Sequence, residues 1–113
     1  MKVKVSELQG AMLDYWVAKA EVVSIERRGR KQNLYTQQGV VWRPSSDWSQ
    51  GGPIIERNAG TFGIAGNDQD FNQVSYWAEM GRTITRCRMV GPTHLIAAMR
   101  AYVASKFGEE VEE

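Results

Sequence analysis

The stretch GPTHLIAAMRAYVASKFG, residues Gly91 to Gly108, decides the fold because it carries the most complete helix pattern in the chain. Proline stands at a position favoured for the first residue of a helix, and apolar residues then recur at three- and four-residue intervals. Gly108 provides a helix stop, and Lys106 lies near the negative end of the helix dipole. The pattern predicts a helix from Pro92 to Phe107 whose apolar stripe another element must cover.

A second helix is predicted near the N-terminus, over residues 7–20. Ser6 and Gln9 have the spacing of a capping box, and the apolar positions that follow recur at helical intervals. A glycine inside a helix is unfavourable by about 1 kcal/mol relative to alanine. Gly10 therefore hints that another backbone or a ligand comes close, although helix packing alone is the simpler explanation.

Short β-rich runs lie between these helices, separated by turn residues. The predicted strands are 22–25, 34–36, 40–42, 74–80 and 83–90, with a hairpin turn at Gly81-Arg82. The basic run 27–31 is predicted to form a hairpin tip, and the glycine-rich segment 58–73 a mobile loop. The fold class that follows is α+β, a small mostly antiparallel sheet packed against the N- and C-terminal helices.

Composition and charge limit the possible classes of protein. The chain has 113 residues, 42% hydrophobic and 24% charged, which is typical of one globular domain. Four of its thirteen acidic residues lie in 109–113, so residues 1–108 carry fourteen basic and nine acidic side chains. We therefore predict a basic domain over 1–108 and an acidic tail over 109–113. A basic domain attracts phosphate-bearing partners, but a difference this small equally serves solubility.

The sequence favours a cytoplasmic protein that is not an enzyme. No apolar run reaches the roughly 18 residues of a membrane span, and the N-terminus is too polar for a signal peptide. With one cysteine and one histidine, the chain offers no His/Cys metal cluster and no evident nucleophile–base pair. We expect no cofactor. A hydrolase that uses the carboxylates of Asp47 and Glu56 stays open as the least supported alternative.

The segment SSDWSQGGPIIER, Ser45 to Arg57, is predicted to form a rigid corner. Ser46 can cap a short helical turn that begins at Asp47 and Trp48, and the Gly51-Gly52-Pro53 run would end it. Backbone amides beside glycines, a tryptophan face and an arginine together suit an aromatic ring joined to an anion, as in a nucleotide. A purely structural corner uses the same residue types.

Three stretches together resemble the NinX-type family of small phage proteins. They are MKVKVSELQGAMLDYWVAKAE, SSDWSQGGPIIER and GPTHLIAAMRAYVASKFGEEVE, and their order also matches. The resemblance implies a phage protein that acts inside a bacterial cell, and it brings no catalytic residues with it. His94 stands where such proteins often have proline, which argues against essential chemistry at this position.

The leading hypothesis is a non-enzymatic protein that binds and sequesters a host nucleotide-type small molecule, such as a cyclic nucleotide or an ADP-ribose-derived immune messenger. Its stacking, charge and anion groups would come from nine residues: Trp42, Arg43, Asp47, Trp48, Gly51, Gly52, Arg57, Pro92 and Thr93. Trp77 and Arg100 are weaker candidates, since Trp77 could belong to the core and Arg100 could pair with Glu56.

The alternative hypothesis is a protein-interaction module that binds and inhibits a host defence or metabolic protein. A pocket lined by tryptophans would favour the small molecule, whereas a flat exposed patch would favour a protein partner. A homodimer or higher homo-oligomer is expected, because pairing deepens the pockets of small proteins. Nucleic acid is an unlikely partner, since the basic tip lacks interleaved aromatic residues.

Overall fold

The computed structural model describes residues 2–28, 33–58, 60–67, 74–80 and 87–112. Within these ranges the α-helices are α1 (Gly10–Glu21), α2 (Trp48–Arg57) and α3 (His94–Phe107). The strands are β1 (Lys2–Lys4), β2 (Ile25–Arg28), β3 (Asn33–Thr36), β4 (Thr61–Asn67), β5 (Val74–Met80), β6 (Cys87–Gly91) and β7 (Glu110–Glu112). None of the helices described is long and apolar enough to cross a bilayer.

Helix α3 forms the centre of the molecule. Leu95 and every residue from Ala97 to Ala104 are buried, so the helix is covered on nearly all sides. It packs against β5 and β6 on one side and against α1 and α2 elsewhere. Four alanines in this run keep the helix surface close to its axis, which lets neighbours approach from several directions at once. The sequence therefore predicted this helix correctly, but as amphipathic rather than almost wholly enclosed.

The described strands pair antiparallel, as predicted, and they form three sheets. The largest has the order β4-β5-β6 and packs against α3, while β2 pairs with β3 and β1 pairs with β7. The α+β class with helices near both ends of the chain is confirmed. The strands are divided among three sheets, so α3 packs on the β4-β5-β6 sheet, whereas α1 packs on α3 and on β3.

The start of α1 differs from the prediction. Val5–Glu7 form a 3-10 turn, and Gln9 rather than Ser6 is the N-cap residue, with no side-chain capping bond. Val5 and Leu8 are buried in the core, which fixes this tight turn. Gly10 begins the helix at φ +59°, a left-handed conformation that suits glycine. The backbone conformation, rather than the close approach of another backbone or a ligand, therefore explains the glycine at position 10.

The end of α1 also overturns a prediction. Val22, predicted to begin a strand, instead terminates the helix at φ 56°, and its amide donates to the carbonyl oxygens of Ala18 and Lys19. Val22 is exposed, and β2 begins only at Ile25. The predicted strand at 40–42 is reduced to a single bridge between Tyr35 and Val41.

The central segment is a helix rather than a corner. Asp47, not Ser46, caps α2, because its carboxylate accepts from the amide of Ser49. The helix then continues through the Gly51-Gly52-Pro53 run, which does not end it. Burial of Ile54 and Ile55 stabilises α2 enough to override the poor helix propensity of glycine and proline.

Three further predictions concern segments that lie partly outside the described residues. The loop prediction for 58–73 is wrong over Thr61–Asn67, which pair with β5 as β4, and residues 59 and 68–73 lie outside the described ranges. The predicted pairing of 74–80 with 83–90 is confirmed over β5 and β6, whereas the predicted turn at Gly81-Arg82 and residues 83–86 lie outside the described ranges. The basic run 27–31 was predicted as a hairpin tip, but Arg27 and Arg28 belong to β2 and pair with β3, and residues 29–31 lie outside the described ranges.

The acidic segment joins the fold. Lys2 lies opposite Glu112 and Lys4 opposite Glu110, so opposite charges face each other across β1 and β7. Val111 between them is buried. Residues 110–112 are therefore a strand of the domain instead of a separate tail.

Candidate functional site

Two adjoining cavities collect five of the nine predicted site residues. The first, with a volume of about 370 Å³, is lined by Trp48, Pro92 and Thr93 together with Tyr76, His94 and Leu95. The second, of about 420 Å³, is lined by Trp42 and Arg43 together with Gly10, Ala11, Asp14, Leu34 and Val41. We call them the Trp48 compartment and the Asp14 compartment. Ser45, Ser46 and Ile96 line both, so the two cavities adjoin, and we call the pair the groove.

The wall between the compartments is a tight turn. The amides of Ser46 and Asp47 both donate to the carbonyl oxygen of Arg43, at 3.0 and 2.9 Å. Gln50 holds the segment from α2, since it accepts from the Arg43 amide at 2.6 Å and donates to the Val41 carbonyl at 2.6 Å. These bonds fix the wall before any ligand arrives, which lowers the entropy lost on binding.

Asp14 holds the same wall from α1. Its side-chain Oδ1 accepts from the Ser45 amide at 2.8 Å, and its backbone carbonyl accepts from Trp42 Nε1 at 2.9 Å. The residue is only 4% exposed. Burial raises the pKa of the Asp14 carboxyl, and the hydrogen bonds from Ser45 oppose that rise. A buried carboxylate with a perturbed pKa at a cavity wall is typical of functional sites.

The Trp48 compartment is aromatic and opens at the start of α3. The rings of Tyr76 and His94 meet edge to face with centroids 4.1 Å apart, and Trp48 is half exposed at the rim. Thr93 caps the helix by accepting from the Ile96 amide at 3.0 Å. Pro92 thus precedes the cap instead of occupying the first helical position. The positive end of the α3 dipole adjoins this cavity.

Charge at the groove is modest. Arg43 Nε lies 4.0 Å from Asp47 Oδ2, and the Arg43 side chain is 62% exposed. Hydrogen bonds from Ser49 lower the pKa of Asp47, which is consistent with a charged capping residue. Arg43 is therefore positioned to reach a ligand at the rim, while Asp47 works chiefly as the cap of α2.

Three predicted site residues lie away from the groove. Gly51 is buried, and its amide donates to the Asp47 carbonyl at 2.9 Å, so it is not available to an anion. Gly52 lies within α2. Arg57, at the far end of α2, forms an ion pair with Glu21, which also accepts from the hydroxyl of Tyr102.

The weaker candidates are structural in this arrangement. Arg100 is buried and donates to the carbonyls of Leu8 and Val90 at 2.7 and 2.9 Å, instead of pairing with Glu56. Burial lowers the pKa of its guanidinium. Trp77 lies under Arg88, whose guanidinium carbon is 4.4 Å from the ring centroid. Glu56 stands near the opposite end of α2 from Asp47, so these two carboxylates do not meet at one site.

Sequence reasoning missed Asp14, Tyr76, Ser45 and Ile96, and it argued against His94. Asp14 was not among the apolar positions of α1 that the spacing predicted, and it was not named as a site residue. Its neighbours Leu13 and Trp16 are buried, and an acidic residue beside such positions is the signal that could have found it. Tyr76 gave no signal, because a tyrosine in a strand is common.

Comparison with known protein families gives one result. The family model described as "Bacteriophage P22, NinX" matches residues 4–106, which include α1, α2 and all of α3 except its last residue, Phe107. No curated protein matches the chain. The match covers most of the chain and both compartments of the groove, and it confirms the resemblance read from the sequence. This chain belongs to the bacteriophage P22 NinX family of phage proteins.

Proposed function

We propose that this phage protein binds and sequesters a nucleotide-type small molecule of the bacterial host, without chemical turnover, in the host cytoplasm. The single observation that carries the proposal is the Trp48 compartment, where Trp48, Tyr76 and His94 line one cavity at the start of α3. Aromatic rings stack on a nucleobase, and the start of a helix favours a negative group.

The size and order of the groove support the same function. Both compartments fall within the range of about 300–1,000 Å³ that is usual for small-molecule sites. The wall between them is held from two helices by Asp14 and Gln50, so the site is largely preformed. Arg43 adds one positive charge at the rim. We expect the ligand to be a messenger that activates host immunity, because a phage would benefit from sequestering such a molecule.

The residues of the proposed site differ in part from those expected from the sequence. Trp42, Arg43, Trp48, Pro92 and Thr93 stay in it as lining residues, and Asp14, Tyr76 and His94 join them. Four residues leave it: Gly51 and Gly52 lie within α2, Asp47 caps that helix, and Arg57 pairs with Glu21.

A release experiment tests the proposal. The protein is incubated with lysate of cells whose nucleotide-based defence is active, recovered, denatured, and its released small molecules are identified by mass spectrometry. We expect a nucleotide, and we expect Trp48→Ala to lower its recovery at least tenfold. Phe107→Ala is the matched control, because Phe107 is a similarly exposed aromatic at the opposite end of α3 and should retain the ligand.

The alternative is a protein-interaction module that inhibits a host protein. Its supporting observation is Trp48, whose side chain is 51% exposed, together with Val40 and Val41 on the surface. A host protein that co-purifies in a fixed ratio with the wild type but not with Trp48→Ala, with no small molecule released, would favour this function. The expected homodimer is tested in the same samples by sedimentation.

A further inference from the structure

The Asp14 carboxylate has accepting capacity that the described residues do not use up. It receives hydrogen bonds from one residue, Ser45, whereas an ionised carboxylate offers about four lone-pair sites. No ion pair among the described residues includes Asp14. Asp14 is nine-tenths or more buried, and it is nevertheless one of the residues that line the Asp14 compartment. A ligand that donates hydrogen bonds would therefore stabilise the buried Asp14 carboxylate by occupying its unused acceptor sites.

The two compartments adjoin at residues that line both. These residues are Ser45, Ser46 and Ile96, and Ser46 is exposed, so a ligand seated against Trp48 would pass over Ser46 to come near Asp14. The two ends of that path differ in chemistry. One end has three aromatic side chains and a helix start, and the other has a buried carboxylate beside the edge-anchored ring of Trp42.

We infer that the ligand is a two-part nucleotide, with a base in the Trp48 compartment and a second group whose neutral donors, sugar hydroxyls or a base amino group, bond to Asp14. This inference rests on the proposed function and specifies its ligand class. A phosphate cannot take the inner position, because the buried carboxylate repels a second negative charge. Asp14 thus determines the orientation of the bound nucleotide as well as its chemical class. The phosphates would lie near Arg43 at the rim.

Four probes of graded composition test the inference by calorimetry: AMP, ADP, ADP-ribose and diadenosine diphosphate. ADP carries both phosphates but no second group, so it is the matched control. ADP-ribose adds hydroxyl donors, and diadenosine diphosphate adds a second base with an amino group. We expect at least one of these two to bind tenfold or more tightly than ADP, since a hydrogen bond to a charged acceptor has that effect.

Variants assign the effect to Asp14. Asp14→Asn can still accept from the Ser45 amide, so the wall is retained, but it should remove the preference over ADP. Ser46→Phe provides a second test that keeps Asp14, because a ring on the shared wall should block the path between compartments, and Ser46→Ala is its control.

The outcomes separate the two proposals. Equal affinity for all probes that contain a diphosphate would overturn the inference and leave the proposed function standing. So would a preference over ADP that survives both Asp14→Asn and Ser46→Phe. Absence of binding by every probe at millimolar concentration, with no nucleotide released from lysate, would overturn both.

Discussion

An arginine lies near each end of α2, but the two arginines have different surroundings. At the N-terminal end, Trp48 and the nearby Arg43 line a groove, and the Arg43 side chain is 62% exposed. At the C-terminal end, the Arg57 side chain is similarly exposed at 61%, yet its guanidinium is held by Glu21. Glu21 also accepts from Tyr102, so α1, α2 and α3 are joined at that end.

The comparison shows why residue type alone could not locate the site. An arginine near a tryptophan is a candidate for ligand binding whether or not the chain already supplies a carboxylate for it. At the Arg57 end that carboxylate comes from α1, thirty-six residues earlier in sequence. At the Trp48 end the buried carboxylate, Asp14, faces a cavity instead. Tertiary partners therefore decide which end is available to a ligand.

The largest effect on stability is expected at Gly51, where α2 packs closely against Pro44 and Leu95. A Cβ at Gly51 would lie 2.5 Å from the Pro44 carbonyl oxygen and 2.6 Å from a Leu95 methyl carbon, so Gly51→Ala should destabilise the protein by about 1–3 kcal/mol. Gly52→Ala is the control, since nothing lies within 4 Å and it should stabilise by about 0.5–1 kcal/mol. Urea unfolding measures both. Equal effects would mean that α2 is not seated on Pro44 and Leu95.

The next effect separates the two contacts of Glu21. Tyr102→Phe removes a hydrogen bond from a buried hydroxyl to a carboxylate and should lower the free energy of unfolding by about 1–2 kcal/mol. Arg57→Ala breaks an ion pair that solvent screens, so it should lower it by less than about 1 kcal/mol. Ligand recovery should stay at the wild-type level in Arg57→Ala. A loss there would restore Arg57 to the site and remove the contrast between the ends of α2.

A smaller effect concerns the edge of the groove. Gly10 lines the Asp14 compartment at φ +59°, with no atom within 4 Å of a Cβ built there. Gly10→Ala should therefore destabilise by about 1 kcal/mol through backbone strain. The sequence interpretation, a glycine in mid-helix, predicts stabilisation of similar size. The sign measured by thermal or urea unfolding decides between them.

The parts of the fold that follow local patterns could be predicted. The stop of α3 at Gly108, strand β5 and the β5–β6 hairpin depend on neighbouring residues and on spacing. Trp42, Arg43, Trp48, Pro92 and Thr93 were also named from residue chemistry, and the groove includes all five.

The rest depended on contacts between distant parts of the chain. Gly51-Gly52-Pro53 resembles a helix stop locally, but burial of Ile54 and Ile55 keeps α2 intact. Asp14 resembles a surface residue until the segment around Ser45, thirty-one positions later, folds over it. The spacing of residues within one helix predicts neither the continuity of α2 nor the burial of Asp14.

The smallest effect is a pH dependence that contrasts the groove with the Arg57 end. Burial raises the pKa of Asp14 above its ordinary value of 3.8, so between that value and the raised one the folded protein holds a proton that the unfolded chain has lost. The contribution of Asp14 to stability is therefore full below pH 3.8 and falls as pH rises through the folded pKa.

Asp14→Asn should accordingly become more stable relative to the wild type between acidic and neutral pH, as measured by urea midpoints across that interval. The other carboxyl groups are common to both proteins and cancel in the difference. A difference that is flat, or that moves the other way, would mean that the bonds from Ser45 outweigh burial. With the predicted sign, the groove retains a residue that destabilises the fold when charged, whereas Tyr102 and Arg57 stabilise it, and such a residue is expected where a ligand supplies the missing partner.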